Sequence, residues 1–487
     1  MTPLVLVVFA AVYLGMALGR WPGLMLDRTG IALVGAIVLV LVGAVTGEEV
    51  RAAVDVPTLV VLFGLMVLSA QFGACGFYAW CSRRIALTPA GPQHLLALTV
   101  ATAGLLSAVL ANDVVVFAMT PMLASGLSRR GLDPRPFLIA LTSAANAGSA
   151  ATVIGNPQNI LIGQSGGLDF FAFLAVCGPP ALVGLLVTYA VVLLAWRGRF
   201  ELRDPRVQHG PPGAAPALDG PGLVKALVAT GALLLLFATP LPRTEGVLLV
   251  AGGLLISRKL STRRILGLVD WHLLVLFGAL FVVTHAFDAT GLPERLVATL
   301  AESGMPITSP WLLGPLTVVG SNTIGNVPLV VLLLQILPSP GPDLLYFLAV
   351  VSTLAGNLLI VGSLANIITV ERAKEVGVGL GFLEHAECGV PIAVLSLTAA
   401  VVWLAFAAPS GGQLPAPELP DPRPAALGAQ PLVRAGHNPP GEQLVDPRCH
   451  RPGRLLLAEP RLGRDRAVNG DEEIRALEPL YPHRYQG

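Results

Sequence analysis

Charged side chains are scarce in this sequence of 487 residues, since Asp, Glu, Lys and Arg make up only 13% of it. A soluble domain usually carries about 25% charged residues. So few charges leave too little polar surface to coat a globule that faces water. Hydrophobic residues make up 54% and the mean hydropathy is +0.72. This composition is typical of a chain that lies in lipid.

Several other features are missing, and each absence excludes a class of function. The formal net charge is +1, so no excess of positive charge indicates a nucleic-acid partner. The five cysteines lack the spacing of a metal site. The glycine-rich stretch 377–381 has neither a preceding strand nor a lysine, so a phosphate loop is not expected there and no nucleotide-binding motif supports a pump. No cofactor is expected.

Apolar stretches long enough to cross about 30 Å of hydrocarbon recur along the chain. The simple crossings are predicted at 3–19, 29–46, 57–80, 169–196, 222–239, 244–257, 271–290 and 388–408. Two more, 136–164 and 343–369, are interrupted by Gly, Asn and Pro. The first stretch lacks a basic n-region, so we expect a retained membrane helix rather than a signal peptide. The sequence predicts an all-α polytopic membrane protein with about ten crossings.

The chain also repeats itself. Three motifs return in the same order: VVLFG at 60–64 as LVLFG at 274–278, AND at 111–113 as SNT at 321–323, and residues 154–160 as residues 361–367. The offsets are 214, 210 and 207 residues. Such collinear duplication is typical of transporter folds.

The duplication predicts four regions along the chain. They are an N-terminal helix plus the first repeat at 1–196, a cytoplasmic linker at 197–221, the second repeat at 222–408, and a Pro- and Arg-rich tail at 409–487. The tail contains no apolar run long enough to span, and its composition predicts disorder.

Positive charge decides how two further apolar stretches, 93–125 and 308–336, enter the membrane. If both are re-entrant hairpins, 18 of the 21 Lys and Arg residues before the tail lie on one side, whereas two crossings would split them 8 against 13. Cytoplasmic loops are enriched in Lys and Arg, so the hairpins are preferred. The two repeats then have inverted topology, with an inner hairpin at 93–125 and an outer hairpin at 308–336 whose tips meet near the midplane.

Polar residues interrupt the apolar stretches at four places, two at the hairpin tips and two inside the broken crossings. Irregular backbone at this depth is tolerated only where it lines a cavity. The candidate ligands for a substrate or an ion are Asn112, Asp113, Ser149, Thr152, Gly155, Asn156, Asn159, Ser321, Asn322, Thr323, Asn357, Gly362, Ser363 and Asn366.

The chemistry of these residues suits small ions. Asn and Ser at a hairpin tip are good N-caps, so we expect them to begin the return helix with free N–H groups that favour an anion. Hard oxygen ligands suit Na⁺, and the candidate Na⁺ ligands are Asn112, Asp113, Ser321, Asn322 and Thr323. Asp113 is a carboxylate at membrane depth, which is a functional hypothesis by default: it binds the coupling cation or carries a proton. His285 is a second candidate proton carrier, and Asp55 and Asp270 are predicted to begin helices.

At these residues the chain resembles the ion transporter superfamily, which includes divalent anion/sodium symporters, citrate transporters and arsenite/antimonite efflux permeases. The resemblance is carried by Ala111-Asn112-Asp113 with Thr120-Pro121, residues 146–159, Ser321-Asn322-Thr323 and residues 356–366. In the dicarboxylate symporters both tips read Ser-Asn-Thr. Here Asp113 replaces the first Thr, which looks more like the bacterial anion permease and arsenite permease branches. The resemblance also implies a homodimer in which each protomer moves its own transport domain.

The sequence therefore favours a secondary-active transporter of a small inorganic or carboxylate anion, coupled to a Na⁺ or H⁺ gradient, in a cell membrane such as a bacterial inner membrane. The alternatives are a Na⁺/H⁺-type antiporter that uses Asp113, an arsenite efflux permease and a passive channel. An enzyme is not expected, because an intramembrane aspartyl protease needs two close carboxylates and only Asp113 lies at a suitable depth.

Overall fold

A computed structural model describes residues 1–202, 217–239, 241–338 and 340–407. The predicted tail and part of the predicted linker lie outside these residues. In the described ranges the chain forms twenty α-helices and one 3-10 helix, Ile360–Gly362, without a β-strand. The α-helices are α1 Thr2–Leu18, α2 Arg28–Leu41, α3 Gly47–Ala53, α4 Val56–Ala74, α5 Phe77–Leu87, α6 Pro92–Val109, α7 Asn112–Ser128, α8 Arg135–Ser149, α9 Pro157–Ser165, α10 Phe170–Ala195, α11 Gly220–Phe237, α12 Arg243–Leu255, α13 Thr262–Leu266, α14 Trp271–Asp288, α15 Leu292–Glu302, α16 Pro310–Ile324, α17 Asn326–Ile336, α18 Pro342–Ala355, α19 Leu364–Glu375 and α20 Phe382–Ala407.

Length and composition place several of these helices across a membrane. Among the described residues, α4, α6, α10, α11, α14 and α20 are each long and apolar enough to span, and α1, α2, α17 and α18 are shorter apolar helices. Asp55 and Asp270 cap the N-terminal ends of α4 and α14, where their carboxylates accept the backbone N–H groups of Thr58 and Leu273 at 3.1 and 3.0 Å. The prediction of an all-helical polytopic protein is confirmed.

The crossings differ from prediction at their ends. The predicted crossing 57–80 ends at Ala74, because Gly76 has a left-handed φ of 77° and α5 begins at the next residue. Gly291, with a φ of 67°, separates α14 from α15 in the same way. The short helices α3, α5, α13 and α15 were not predicted, since none of them is a continuous apolar run.

The stretch from 92 to 128 is a hairpin, and the contacts at its base show this. The Arg130 guanidinium, just after α7, donates to the carbonyl oxygens of Ala86, Thr88 and Ala90 at 3.0, 2.7 and 3.0 Å, just before α6. The two ends of the stretch therefore lie side by side. A single crossing would hold them about 25 Å or more apart, given a rise of 1.5 Å per residue.

The second hairpin turns at Gly325, whose φ of 95° is readily adopted only by glycine. The chain folds back closely there. A Cβ atom on Gly320 would lie 2.6 Å from the Leu329 side chain, which follows the turn. The two stretches that the distribution of positive charge predicted to be hairpins, 93–125 and 308–336, are therefore both hairpins.

Several loops with positive charge share one side of the molecule, which we call the basic face. Beyond the contacts of Arg130, the backbone N–H of Asp133 donates to the Phe200 carbonyl at 2.8 Å, and that of Leu202 donates to Gly131 at 2.9 Å. Loops 86–90, 129–135 and 199–202 are thus bonded to one another. The positive-inside rule places this face in the cytoplasm.

The two repeats run in opposite directions. Lys225, near the start of α11, donates to the Leu254 carbonyl at the end of α12, and Asp219 donates its N–H to Cys75 at the end of α4. The ends of α4 and α12 therefore lie at one face. Helix α3 and its loops connect the end of α2 to the start of α4 at the opposite face. Helix α2 therefore begins at the face where α4 and α12 end. Helix α2 starts where its counterpart α12 ends.

The helices pack into two groups. The first bundle contains α1, α2, α4, α11, α12 and α14. The second bundle contains both hairpins, both broken crossings and the long helices α10 and α20. Contacts of α4 with α9, of α14 with α17 and of α1 with α16 join the bundles.

Candidate functional site

A buried cluster of amide and hydroxyl side chains lies in the second bundle, centred on Asn146 of α8. Asn146 Nδ2 donates to Asn357 Oδ1 at 2.9 Å and to Asn366 Oδ1 at 3.2 Å. Its Oδ1 atom accepts from Asn112 Nδ2 at 3.3 Å and from Ser363 Oγ at 3.0 Å. Residues from the inner hairpin, the first broken crossing and the second broken crossing therefore meet at one side chain.

Equivalent hydrogen bonds stabilise the helix breaks in the two broken crossings. Asn159 Nδ2 donates to the carbonyl oxygens of Ser149 and Thr152, at 3.2 and 3.0 Å. Asn366 Nδ2, 207 residues later, donates to the carbonyls of Gly356 and Leu359 at 2.7 and 3.0 Å. Each asparagine donates to carbonyls at a helix break, where the regular α-helical bonding stops, which explains how irregular backbone persists at this depth.

Bonds between the repeats are equivalent in the same way. Thr353 Oγ1 donates to Asn159 Oδ1 at 3.4 Å and accepts from Asn156 Nδ2 at 3.2 Å. Asn146, the counterpart of Thr353, bonds Asn366 and Ser363, the counterparts of Asn159 and Asn156. The cluster is therefore built on the pseudo-twofold relation between the repeats.

Small residues allow the hairpin tips to approach the breaks. The backbone N–H of Asn112 donates to the Gly155 carbonyl at 3.2 Å. A Cβ atom on Gly155 would lie 2.9 Å from the Ser107 carbonyl oxygen of the inner hairpin, and one on Gly362 would lie 2.3 Å from Asn322 Oδ1. Thr152 Oγ1 donates to the Ala108 carbonyl at the end of α6, so both sides of the inner tip are hydrogen-bonded to the first broken crossing.

A continuous hydrogen-bonded path joins the two tips. Asn112 bonds Asn146, Asn146 bonds Asn366, and Asn366 bonds the carbonyl of Leu359. The Leu359 N–H then donates to Asn322 Oδ1 at 3.2 Å. Asn322 Nδ2 also donates to the Ala355 carbonyl at 2.9 Å.

The role predicted for the tip residues as N-caps was wrong. Asn112 is the first residue within α7, and Ala111 is its N-cap. Ser321, Asn322 and Thr323 form part of the last turns of α16, while Gly325 is the N-cap of α17. The asparagine side chains bond backbone and amide groups of the neighbouring broken crossings instead of capping their own helices.

The structure does not bring every predicted residue into the cluster. Thr323 is exposed and donates to the Val319 carbonyl in its own helix. Asp113 is half-buried and makes no hydrogen bond or salt bridge with the described residues. It lines a small cavity of about 30 Å³ beside the cluster, and Asp270 lines the same cavity. His285 is half-buried at the far end of α14 from Asp270.

A larger cavity, which we call the vestibule, has a volume of about 560 Å³. It reaches from the basic face, where Asp27 and Lys374 line it, to Gly325 and Asn326 at the outer tip. Ile360 and Val361 of the second break also line it. The side of the outer hairpin tip is therefore accessible from the basic face in this structure.

Comparison with known proteins agrees with this architecture. Residues 4–351 match the citrate transporter family CitMHS. The chain belongs to the CitMHS family. It is a multi-pass membrane transporter, not an enzyme. Its relatives include the inner membrane protein YbiR of Escherichia coli, 33% identical over 66% of this chain and 82% of the relative.

Two other relatives of this CitMHS chain are also named as transporters. The silicon efflux transporter LSI3 of Oryza sativa is 26% identical over 76% of this chain and 90% of the relative. The putative transporter arsB of Dictyostelium discoideum is 25% identical over 76% of this chain and 86% of the relative.

The CitMHS chain also has polar groups at the site that are buried without a hydrogen-bond partner among the described residues. Asn112 Oδ1 and Ser321 Oγ belong to predicted residues, whereas Ser107 Oγ and Thr317 Oγ1 were missed by sequence reasoning. Ser107 and Thr317 each precede the tip asparagine by five residues, so they occupy equivalent positions in the two hairpins. That spacing was the available signal, since single Ser or Thr residues in membrane helices usually bond their own backbone.

His385 of α20 was also missed. It is fully buried, its Nε2 atom lies 3.3 Å from the Asn357 carbonyl oxygen, and its Nδ1 atom has no partner among the described residues. His385 touches the edge of the cluster, whereas the histidine singled out from the sequence, His285, does not.

Proposed function

We propose that this CitMHS transporter moves a small anion or oxyanion by secondary-active transport, with the cargo held at the cluster around Asn146. One observation carries the proposal: the N-terminal ends of two half-helices meet there. Helix α9 begins after Asn156 and α19 after Ser363, and the side chains of both N-cap residues belong to the cluster. Helix N-termini present free N–H groups and a partial positive charge, which favour an anion.

The side chains of the cluster support the same cargo. They are neutral amides and hydroxyls, which donate hydrogen bonds to oxygen atoms without forming a fixed ion pair. Among the described residues, none of the hydrogen bonds around Asn146 comes from a charged side chain. A cargo of small size with several oxygen atoms, either an oxyanion or a carboxylate, fits these donors.

Coupling to a Na⁺ or H⁺ gradient is part of the proposal. The unpartnered oxygens of Ser107 and Asn112 in the inner hairpin, and of Thr317 and Ser321 in the outer hairpin, are hard ligands suited to Na⁺. Asp113 adds a carboxylate beside the inner tip, and it is the candidate proton carrier if the coupling ion is H⁺.

The relatives favour a second candidate, which is efflux of a metalloid oxyacid. One relative is named a silicon efflux transporter and another arsB. An uncharged oxyacid presents hydroxyl groups that both donate and accept, and the amide oxygens of the cluster suit such donors. This candidate shares the cluster and specifies export as the direction of net transport.

Transport by purified protein in proteoliposomes tests both candidates. Arsenite, silicic acid, citrate, succinate, phosphate and sulfate are supplied in turn under separate Na⁺ and H⁺ gradients of each direction. We expect one cargo class to accumulate only when an ion gradient is present. Cation-dependent pH changes without movement of any of these solutes would overturn the proposal in favour of a Na⁺/H⁺ antiporter, and gradient-independent flux would indicate a channel. Crosslinking in native membranes tests the expected homodimer.

A further inference from the structure

Arg243, at the first residue of α12, bridges the two bundles at the face opposite the basic face. Its guanidinium donates to the Gly163 carbonyl oxygen at 3.3 Å and also to the Leu168 carbonyl oxygen. These carbonyls lie at the C-terminal end of α9 and in the loop that follows it. Helix α12 belongs to the first bundle and α9 to the second, so Arg243 ties the two bundles together on that face.

Arg28 is the counterpart of Arg243 in the first repeat. Each arginine is the first residue of its helix, α2 or α12, and each is followed by threonine, Thr29 or Thr244. The offset of 215 residues is in line with the offsets of the other repeated motifs. Arg28 lies at the basic face, whereas Arg243 lies at the opposite face.

The surroundings of the two arginines differ. The offset of 207 residues maps Gly163 onto Val370 and Leu168 onto Glu375, so the equivalent acceptors for Arg28 are the backbone carbonyls at the end of α19. Arg28 does not reach them here. It donates to the Met16 carbonyl at 3.2 Å, and the vestibule, which Arg28 and Val370 both line, lies between α2 and α19.

We infer that Arg243 and Arg28 are alternating latches of the transporter, one for each face. In the present state Arg243 holds α9 against the first bundle and closes the face opposite the basic face. In the alternative state Arg28 bonds the end of α19, the vestibule closes, and Arg243 releases α9. Alternating access is largely a rigid-body movement of one bundle against the other, so each repeat supplies the latch for one of the two faces.

The inference rests on the proposed transport cycle, but its test needs no cargo. Two reporters are placed singly in a chain whose five cysteines are replaced by alanine. Val361→Cys lines the vestibule, and Ile154→Cys, its counterpart 207 residues earlier, is 3% exposed in this structure. A membrane-impermeant maleimide is added to one face of oriented vesicles at a time, and the labelling rate of each reporter is measured.

Opposite shifts are expected from the two latch variants. Arg243→Gln removes the latch of the present state, so labelling at position 361 from the basic face slows and labelling at 154 from the opposite face rises, with a change of about tenfold in their ratio. Arg28→Gln removes the latch of the other state and shifts the ratio the other way. The double variant returns the ratio toward that of the parent.

Two further variants separate a latch from a general structural role. Arg51→Gln removes an exposed arginine of α3 from the same face as Arg243, and it is expected to leave both labelling rates unchanged. Arg243→Lys keeps a cation with fewer donors and is expected to give an intermediate ratio. The inference is overturned if Arg243→Gln labels like the parent, or if the Arg243 and Arg28 variants shift the ratio in the same direction. Absence of anion transport in the same vesicles would refute the proposed function, whereas the labelling ratios would still test the latches.

Discussion

Replacing Asn146 by alanine is the sharpest test of the polar cluster. The side chain takes part in four hydrogen bonds with other side chains, and it is buried. Side-chain hydrogen bonds inside membrane proteins contribute about 0.6 kcal/mol each on average. We therefore expect Asn146→Ala to lower the free energy of unfolding by about 2–3 kcal/mol, and transport to be lost.

The measurement is unfolding by sodium dodecyl sulfate in mixed micelles, followed by circular dichroism. Thr188→Ala is the matched control, because Thr188 is also buried in a helix of the second bundle but donates only to the Gly184 carbonyl of its own helix. The control is expected to cost about 0.6 kcal/mol or less. Equal losses for the two variants would refute the idea that Asn146 joins the repeats energetically.

Three further outcomes are expected. Gly362→Ala should abolish transport in a protein that still inserts, since the new methyl group would lie 2.3 Å from the Asn322 amide oxygen. The control Gly278→Ala has open space around it and should transport normally. Normal uptake by Gly362→Ala would contradict the close packing at this position. Asp113→Asn should uncouple transport from the ion gradient, which gradient-dependent and exchange uptake assays compare, and unchanged coupling would remove Asp113 from the mechanism. Thr88→Cys and Leu132→Cys should label from the same face in oriented vesicles, and labelling from different faces would contradict the inner hairpin.

The overall topology was predictable because it depends on long-range regularities of the sequence. The repeat offsets and the bias of Lys and Arg are properties of whole segments, and they correctly indicated inverted repeats and two hairpins. Arg130 shows the structural counterpart of that bias, since the same positive charge that marks the basic face also closes the base of the inner hairpin.

Local details were less predictable, because several conformations satisfy the same residues. Asn112 and Ser321 are residue types that favour N-caps, yet the tight turn at Gly325 and the packing against the helix breaks place them inside helices. Helix α5 buries Tyr78, Cys81 and Ile85 on one face only, so it gives no apolar run to detect. The sequence cannot show that the Ser107 hydroxyl lacks a hydrogen-bond partner among the described residues, because this depends on the positions of all neighbouring groups.

The cross-repeat bonds of the cluster restrict how the molecule moves. Eight hydrogen bonds join α8 and the start of α9 to α18, α19 and the break between them. Prying one repeat away from the other would sever all of them, whereas sliding the second bundle as a rigid body along the first leaves them intact. In the proposed transport cycle, the cluster that would hold the cargo therefore keeps its shape while its depth in the bilayer changes.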